Sequence, residues 1–207
     1  MDMFENVLFG VPESVANLQL PDPILRDFYR DQEDRVYWLE GTISEENLDL
    51  VKMIMRCNRE DKDIPITERK PIKVFIDSPG GDVVVEWTII NAIKTSKTKI
   101  ITIDYCTAFS AAADILASGH ERWALPGTHV MMHNGSCGYS GQADTVESQK
   151  KYFDGLSKKI TDHILSVTNL NPRTYKKKAV TDWFFDENEA LDSGLIDKII
   201  TDFDDLY

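Results

Sequence analysis

The chain alternates short apolar runs with longer segments in which apolar residues recur every three or four positions. The runs at residues 35–41, 74–77 and 99–106 are rich in branched and aromatic residues and predict strands. Segments of helical periodicity follow them, at residues 44–58, 82–95 and 110–118. Repeated strand–turn–helix units predict an α/β domain with parallel strands, and sites in such folds lie at the carboxyl ends of the strands.

The second half of the chain continues with shorter elements. Residues 123–125 and 129–132 predict two strands around a Pro126-Gly127 turn, and residues 142–167 predict a long helix after a glycine- and serine-rich stretch. Helices are also predicted after Asn171-Pro172 and at residues 187–193, where Asp186 is a suitable N-cap. The polar segment 61–71 predicts a loop.

The amino-terminal part has a different pattern. Residues 1–30 lack clean periodicity and contain Pro12, Pro21 and Pro23, which predicts an irregular arm. We therefore expect two parts, the arm at 1–30 and one domain at 31–207, a size that allows a full hydrophobic core.

Composition excludes several function classes. The net charge of −12 disfavours binding to nucleic acid or to an anionic membrane, and no apolar stretch approaches the length of a membrane span. The acidic start at residues 1–5 lacks the basic and apolar regions of a leader, so we expect a cytoplasmic protein. Three cysteines without CxxC spacing and histidines without an HExxH pair indicate no disulfide framework and no metal site.

Ser110, His133 and Asp182 are candidates for nucleophilic catalysis. A serine hydroxyl needs a base to remove its proton and a carboxylate to hold that base in one tautomer. Ser110 lies where a predicted strand passes into a helix, and His133 lies at a predicted strand end. Each residue also has a structural interpretation, because Ser110 and Asp182 could cap helices and His133 could be a polar strand end.

Six motifs occur in an order that resembles the ClpP family of peptidases, the proteolytic subunits of Clp proteases. They are Asp77-Ser-Pro-Gly-Gly81, Thr107-Ala-Phe-Ser110, Ala124-Leu-Pro126, Val130-Met-Met-His133, Gly138-Tyr-Ser-Gly-Gln-Ala143 and Glu189-Ala-Leu-Asp-Ser-Gly-Leu-Ile-Asp197. The resemblance runs from about Arg35 to Ile200. It implies a ClpP/crotonase-like fold with a protruding handle made of the long helix and the glycine-rich strand before it.

The resemblance also implies roles for individual residues. Ser110 is then the nucleophile, His133 the general base and Asp182 the orienting carboxylate, while the backbone N–H groups of Gly81 and Ala111 form the oxyanion hole. An extended polypeptide substrate is implied between two segments. The residues at these segments are Gly80, Asp82, Val83, Gly135, Ser136, Cys137 and Gly138.

Further implications concern assembly. The resemblance implies a homo-oligomer of two stacked heptameric rings, fed by an AAA+ unfoldase, with no cofactor in the peptidase itself because ATP is used by the partner. The apolar positions Tyr152, Phe153, Leu156 and Ile160 of the long helix could serve contacts between rings or packing on their own domain.

Several positions depart from the family pattern. Glycine is usual where this chain has Glu86, Cys106, Ala112 and Cys137, and Phe109 replaces a small residue. These departures leave other functional hypotheses open. The alternatives are a catalytically silent ClpP-like subunit or scaffold, a phage head maturation protease, a signal peptide peptidase, and an acyl-CoA hydratase that would use the oxyanion groups without the triad.

Overall fold

The computed structural model describes residues 23–206, and the chain divides into two compact units, Met1–Asp34 and Arg35–Tyr207. Within the first unit the structure describes one helix, α1 (Pro23–Asp34), which begins with a proline at a position where its missing N–H costs nothing. We expected irregular backbone over residues 1–30, and Pro23–Arg30 is instead helical. The rest of that prediction, residues 1–22, lies outside the described residues.

The second unit contains a seven-stranded sheet and six helices among residues 35–206. The strands are β1 (Val36–Glu40), β2 (Ile72–Ser78), β3 (Ile100–Phe109), β4 (Glu121–Ala124), β5 (His129–Met132), β6 (Trp183–Asp186) and β7 (Lys198–Ile199). The helices are α2 (Leu48–Glu60), α3 (Val83–Thr95), α4 (Ala111–Ala117), α5 (Ala143–Val167), α6 (Pro172–Lys178) and α7 (Glu187–Asp192). Short 3₁₀ turns are present at Glu45–Asn47, Ile66–Glu68 and Phe203–Leu206.

The sheet is mostly parallel, which confirms the predicted fold class. Its main order is β1-β2-β3-β4-β7, and the carboxyl half of β3 also pairs in parallel with β5. Only β6 runs antiparallel, against β5. Because β1, β2 and β3 are parallel neighbours, the turns that follow β2 and β3 lie at the same edge of the sheet.

Apolar side chains cover both faces of the central strands. One face packs against the helices in a core that includes Ile76, Ile90 and Leu116, and the other face carries a smaller cluster around Phe75 and Ile103. Strands that are buried on both faces read as continuous apolar runs, which is why 74–77 and 99–106 were predictable. No helix among the described residues is long and apolar enough to cross a bilayer.

The long helix α5 has two unlike halves. Residues 143–155 include no buried side chain, whereas Leu156, Ile160 and Ile164 are buried in the domain core. Of the apolar stripe predicted on this helix, Leu156 and Ile160 therefore pack on their own domain, while Tyr152 is 57% exposed. The amino-terminal half corresponds in sequence to the helix of the expected handle and is largely exposed, apart from Phe153, which is half-buried against the core.

The glycine-rich part of the expected handle differs from the prediction. Residues 133–140 form no strand in this structure. A strand needs a hydrogen-bonded neighbour, and a lone segment with several glycines has neither a partner nor side chains that favour extended backbone.

Candidate active site

Ser110 occupies a strained turn between β3 and α4. Its φ of 55° and ψ of −124° are unusual for a residue with a side chain, and its N–H donates to the Met131 carbonyl oxygen at 2.7 Å. The bond ties the turn to β5, and α4 begins at the next residue, Ala111. Backbone strain of this kind persists only where neighbouring structure enforces it, and it is typical of functional residues.

Ser110, His133 and Asp182 form a hydrogen-bonded series. The Ser110 hydroxyl oxygen lies 2.7 Å from His133 Nε2, and His133 Nδ1 lies 3.2 Å from Asp182 Oδ1. His133 follows β5, and Asp182 precedes β6, so the antiparallel β5–β6 pair brings the imidazole and the carboxylate together. A carboxylate at Nδ1 favours the tautomer with its proton there, which leaves the lone pair of Nε2 facing the hydroxyl.

Exposure differs between the two partners of this series. The His133 side chain is 24% exposed and the Asp182 side chain is 56% exposed. The imidazole is therefore partly shielded from water, whereas the carboxylate that orients it faces solvent.

The glycine turn after β2 packs directly against Ser110. A Cβ atom added to Gly80 would lie 2.7 Å from the Phe109 carbonyl oxygen and 2.7 Å from Ser110 Cβ, and one added to Gly81 would lie 2.2 Å from the Ile43 carbonyl oxygen. Only glycine allows these approaches without movement of the backbone. Ser78 stabilises the turn, because its buried hydroxyl donates to the Gly41 carbonyl and accepts from the Gly80 N–H.

Two backbone N–H groups belong to residues near Ser110, since Ala111 follows it in the chain and Gly81 follows Gly80, which packs against it. The Ile43 backbone pairs with the Gly80 carbonyl and the Asp82 N–H, a ladder that does not use the N–H of Gly81. Ala111 is the first residue of α4, where N–H groups have no partner within the helix. Both groups are suited to bind an oxyanion that develops beside Ser110.

The residues predicted to bind substrate lie in two places. Gly80, Asp82 and Val83 are at the start of α3 beside Ser110, and the Asp82 carboxylate is occupied as the helix cap by the N–H groups of Val84 and Val85. The second group, Gly135, Ser136, Cys137 and Gly138, is exposed in the irregular segment after His133. Within that segment the Cys137 thiol donates to the Tyr139 hydroxyl.

Sequence reasoning missed a buried acid pair next to the site. Glu86 of α3 is 4% exposed, and burial together with the neighbouring Asp114 of α4 raises the pKa of Glu86 to about 10. Burial also raises the pKa of Asp114, to about 7. The available signal was Glu86 itself, a single acid within the apolar run of α3, but its partner on another helix could not be identified from periodicity.

Other perturbed groups lie away from the hydroxyl. Burial lowers the pKa of His163 to about 4, and its Nε2 is 2.9 Å from the Ser118 hydroxyl. Burial raises the pKa of Asp104, within β3, to about 7. Among residues 23–206, no group of three or more His, Cys, Asp or Glu side chains is arranged to hold a metal ion.

A strained serine, an imidazole and a carboxylate in hydrogen-bonded series, at the carboxyl edge of a parallel sheet and at the start of a helix, define a serine hydrolase. The family model "Clp protease" matches residues 34–203. The ATP-dependent Clp protease proteolytic subunit 2 of Treponema denticola is 32% identical over 136 residues, which cover 65% of this chain and 68% of that protein. The chain belongs to the Clp protease family and is a serine peptidase.

Proposed function

We propose that Ser110, His133 and Asp182 are the catalytic triad of an endopeptidase that hydrolyses unfolded polypeptides inside an oligomeric chamber. The observation that carries the proposal is the pair of contacts at 2.7 Å and 3.2 Å that join hydroxyl, imidazole and carboxylate. A surface serine or histidine with a merely structural role would not require all three groups in series.

The reaction follows from this geometry in two halves. His133 Nε2 takes the proton of Ser110 as its oxygen attacks the scissile carbonyl, and the N–H groups of Gly81 and Ala111 stabilise the oxyanion. The imidazolium then donates its proton to the leaving amine, which leaves an acyl-enzyme on Ser110. Water activated by the same imidazole releases the acid. Each oxyanion donor is worth about 10²–10³ in rate.

The partners are part of the same proposal. The related subunit from Treponema denticola is named as part of an ATP-dependent protease, which supports an AAA+ unfoldase that delivers substrate to this peptidase. The exposed half of α5 supports a homo-oligomer, for which two stacked heptameric rings are the expected form. Three unpaired cysteines support a reducing compartment such as the cytoplasm.

The test compares Ser110→Ala with the control Ser157→Ala, which removes an exposed hydroxyl from α5. The purified oligomeric fraction is assayed with an unstructured fluorogenic peptide and with a fluorophosphonate that labels activated serines. We expect labelling and cleavage in the wild type and in Ser157→Ala, and neither in Ser110→Ala. Cleavage that persists in Ser110→Ala would refute the assignment, and an unlabelled, inactive wild type would favour a silent subunit.

A further inference from the structure

The acid pair Glu86–Asp114 has properties that neither packing nor helix capping explains. Glu86 and Asp114 form a hydrogen bond with each other, and among the described residues Oε1 of Glu86 remains buried without a hydrogen-bond partner. Burying a carboxyl group without a partner is unfavourable, and a second acid beside it adds repulsion whenever both ionise. A ligand that relieves this arrangement must supply hydrogen-bond donors or positive charge.

The pair lies directly behind the reacting groups. The Glu86 N–H bonds to the Asp82 carbonyl at 2.9 Å, one turn along α3 from the glycine turn, and the Asp114 N–H bonds to the Ser110 carbonyl at 3.2 Å, one turn along α4 from the nucleophile. Side chains on a helix lean toward its amino terminus. Both carboxyls therefore lean toward the end of the helices where Gly81 and Ser110 lie.

The surroundings of the pair contain no compensating cation. Among residues 23–206, neither carboxyl forms an ion pair with Lys, Arg or His. The charged and titratable neighbours that act on the pair are Asp82 and the phenol of Tyr175, which is itself buried against it. Among the described residues, no cation therefore compensates the charge that develops when the pair ionises.

Partly exposed residues lie next to the pair on the side of Ser110. Glu86 is buried, but Asp114, Ser110 and Val83 are each partly exposed, and the residues between the hydroxyl and Asp114 are alanines. One helical turn rises about 5.4 Å, a span that the side chain of lysine or arginine can cross when its own carbonyl is held at Ser110. A shorter or apolar side chain would leave Oε1 of Glu86 without a partner.

We propose that Glu86 and Asp114 form the floor of the pocket for the side chain on the acyl side of the scissile bond, and that they select lysine or arginine there. This inference rests on the proposed function, because it requires Ser110 to be the nucleophile. A bound ammonium or guanidinium group donates to both carboxylates and replaces the proton that the pair holds when the pocket is empty. A carboxylate pair beneath the nucleophile would make the peptidase selective for basic residues at one position while main-chain contacts leave the others free.

The test uses two fluorogenic peptides that differ only before the scissile bond, where one has lysine and the other norleucine, an apolar residue of similar length. The assembled wild type should cleave the lysine peptide with a kcat/KM about tenfold or more above that of the norleucine peptide, the scale of one charge-assisted hydrogen bond. Glu86→Gln and Asp114→Asn should abolish or reverse this preference, which is measured as the ratio of the two kcat/KM values within each variant. The exposed substitution Glu46→Gln should leave the ratio as in the wild type.

The outcomes separate this inference from the function on which it rests. A wild-type ratio of one or below overturns the selectivity while cleavage of the norleucine peptide upholds the peptidase, and the wild-type ratio decides this even if a variant fails to fold. If both variants fold and still prefer the lysine peptide, the preference comes from other residues, and the proposal is overturned. Loss of both cleavage and fluorophosphonate labelling in the wild type would refute the peptidase proposal and this inference together.

Discussion

Replacing Gly80 by alanine tests whether the glycine turn holds the nucleophile in place. The new Cβ would lie 2.7 Å from both the Phe109 carbonyl oxygen and Ser110 Cβ, whereas an ordinary contact is 3.4 Å or more, so a group in the site must move by about 0.7 Å. A displacement of about 1 Å costs on the order of 10²-fold in rate. Alanine at φ +92° also costs roughly 1–2 kcal/mol of stability.

Gly127 offers a matched control for this experiment. It has φ +81°, and a Cβ added there would meet nothing within 4 Å, so Gly127→Ala imposes similar backbone strain without a contact. We expect Gly80→Ala to lose at least as much stability as Gly127→Ala in thermal unfolding, whereas only Gly80→Ala loses peptide cleavage, by about 10²-fold in kcat/KM. Equal activity in the two variants would refute the argument that the turn positions Ser110.

The remaining predictions concern the carboxylates. Asp182→Asn should lower kcat by about 10³–10⁴ with little change in KM, because the imidazole loses its tautomer; unchanged kcat would remove Asp182 from the series. Asp61→Ala should cost about 3–5 kcal/mol in urea unfolding, since the part-buried Arg35 guanidinium bonds to both oxygens of the buried Asp61 carboxylate at 2.7 Å. Exposed Asp63→Ala should change little. Arg35 lowers the pKa of Asp61, so this stabilisation is present above the ordinary carboxyl pKa and should be lost as pH falls through the lowered value. A difference in unfolding free energy between wild type and Asp61→Ala that does not change with pH would contradict this expectation. Burial raises the pKa of Glu86 to about 10, so the folded protein retains a proton that the unfolded chain releases. The stability of the wild type relative to Glu86→Gln should therefore fall between about pH 5 and pH 9, and a stability difference that stays constant over this range would refute the reasoning.

Local patterns predicted most of the fold because the spacing of apolar residues in each element reflects which of its faces are buried. The apolar run at 74–77 belongs to a strand buried on both faces, and the Ser110–Ser118 segment became α4 with the serine at its start. Strand β6 was missed although its Trp183-Phe184-Phe185 run is a strand signal, because it is short and stands between two helices. The helix at Pro23–Asp34 was missed because the prolines in this part of the chain indicated irregular backbone.

The site was less accessible to sequence reasoning than the fold. The resemblance supplied the three candidate residues, and the distances between them depend on strand pairing far apart in the chain, such as β5 with β6. The positive φ of Ser110 is imposed by the Met131 carbonyl and the Gly80 contact, neither of which has a local signature. The Glu86–Asp114 pair likewise arises only when α3 and α4 pack side by side.

The division of α5 at Gly155 gives the chain two regimes of hydrogen exchange. Amides of residues 143–155 lie on a helix whose support is its own backbone, exposed ion pairs such as Lys150–Asp154 and the half-buried side chain of Phe153. Isolated helices shorter than about 12–15 residues are marginal in water. They should exchange by local fraying in a free subunit, while amides from Leu156 onward exchange only when the core opens. Slowed exchange confined to residues 143–155 would therefore report that another surface has covered this half of the helix, without any label or change to the sequence.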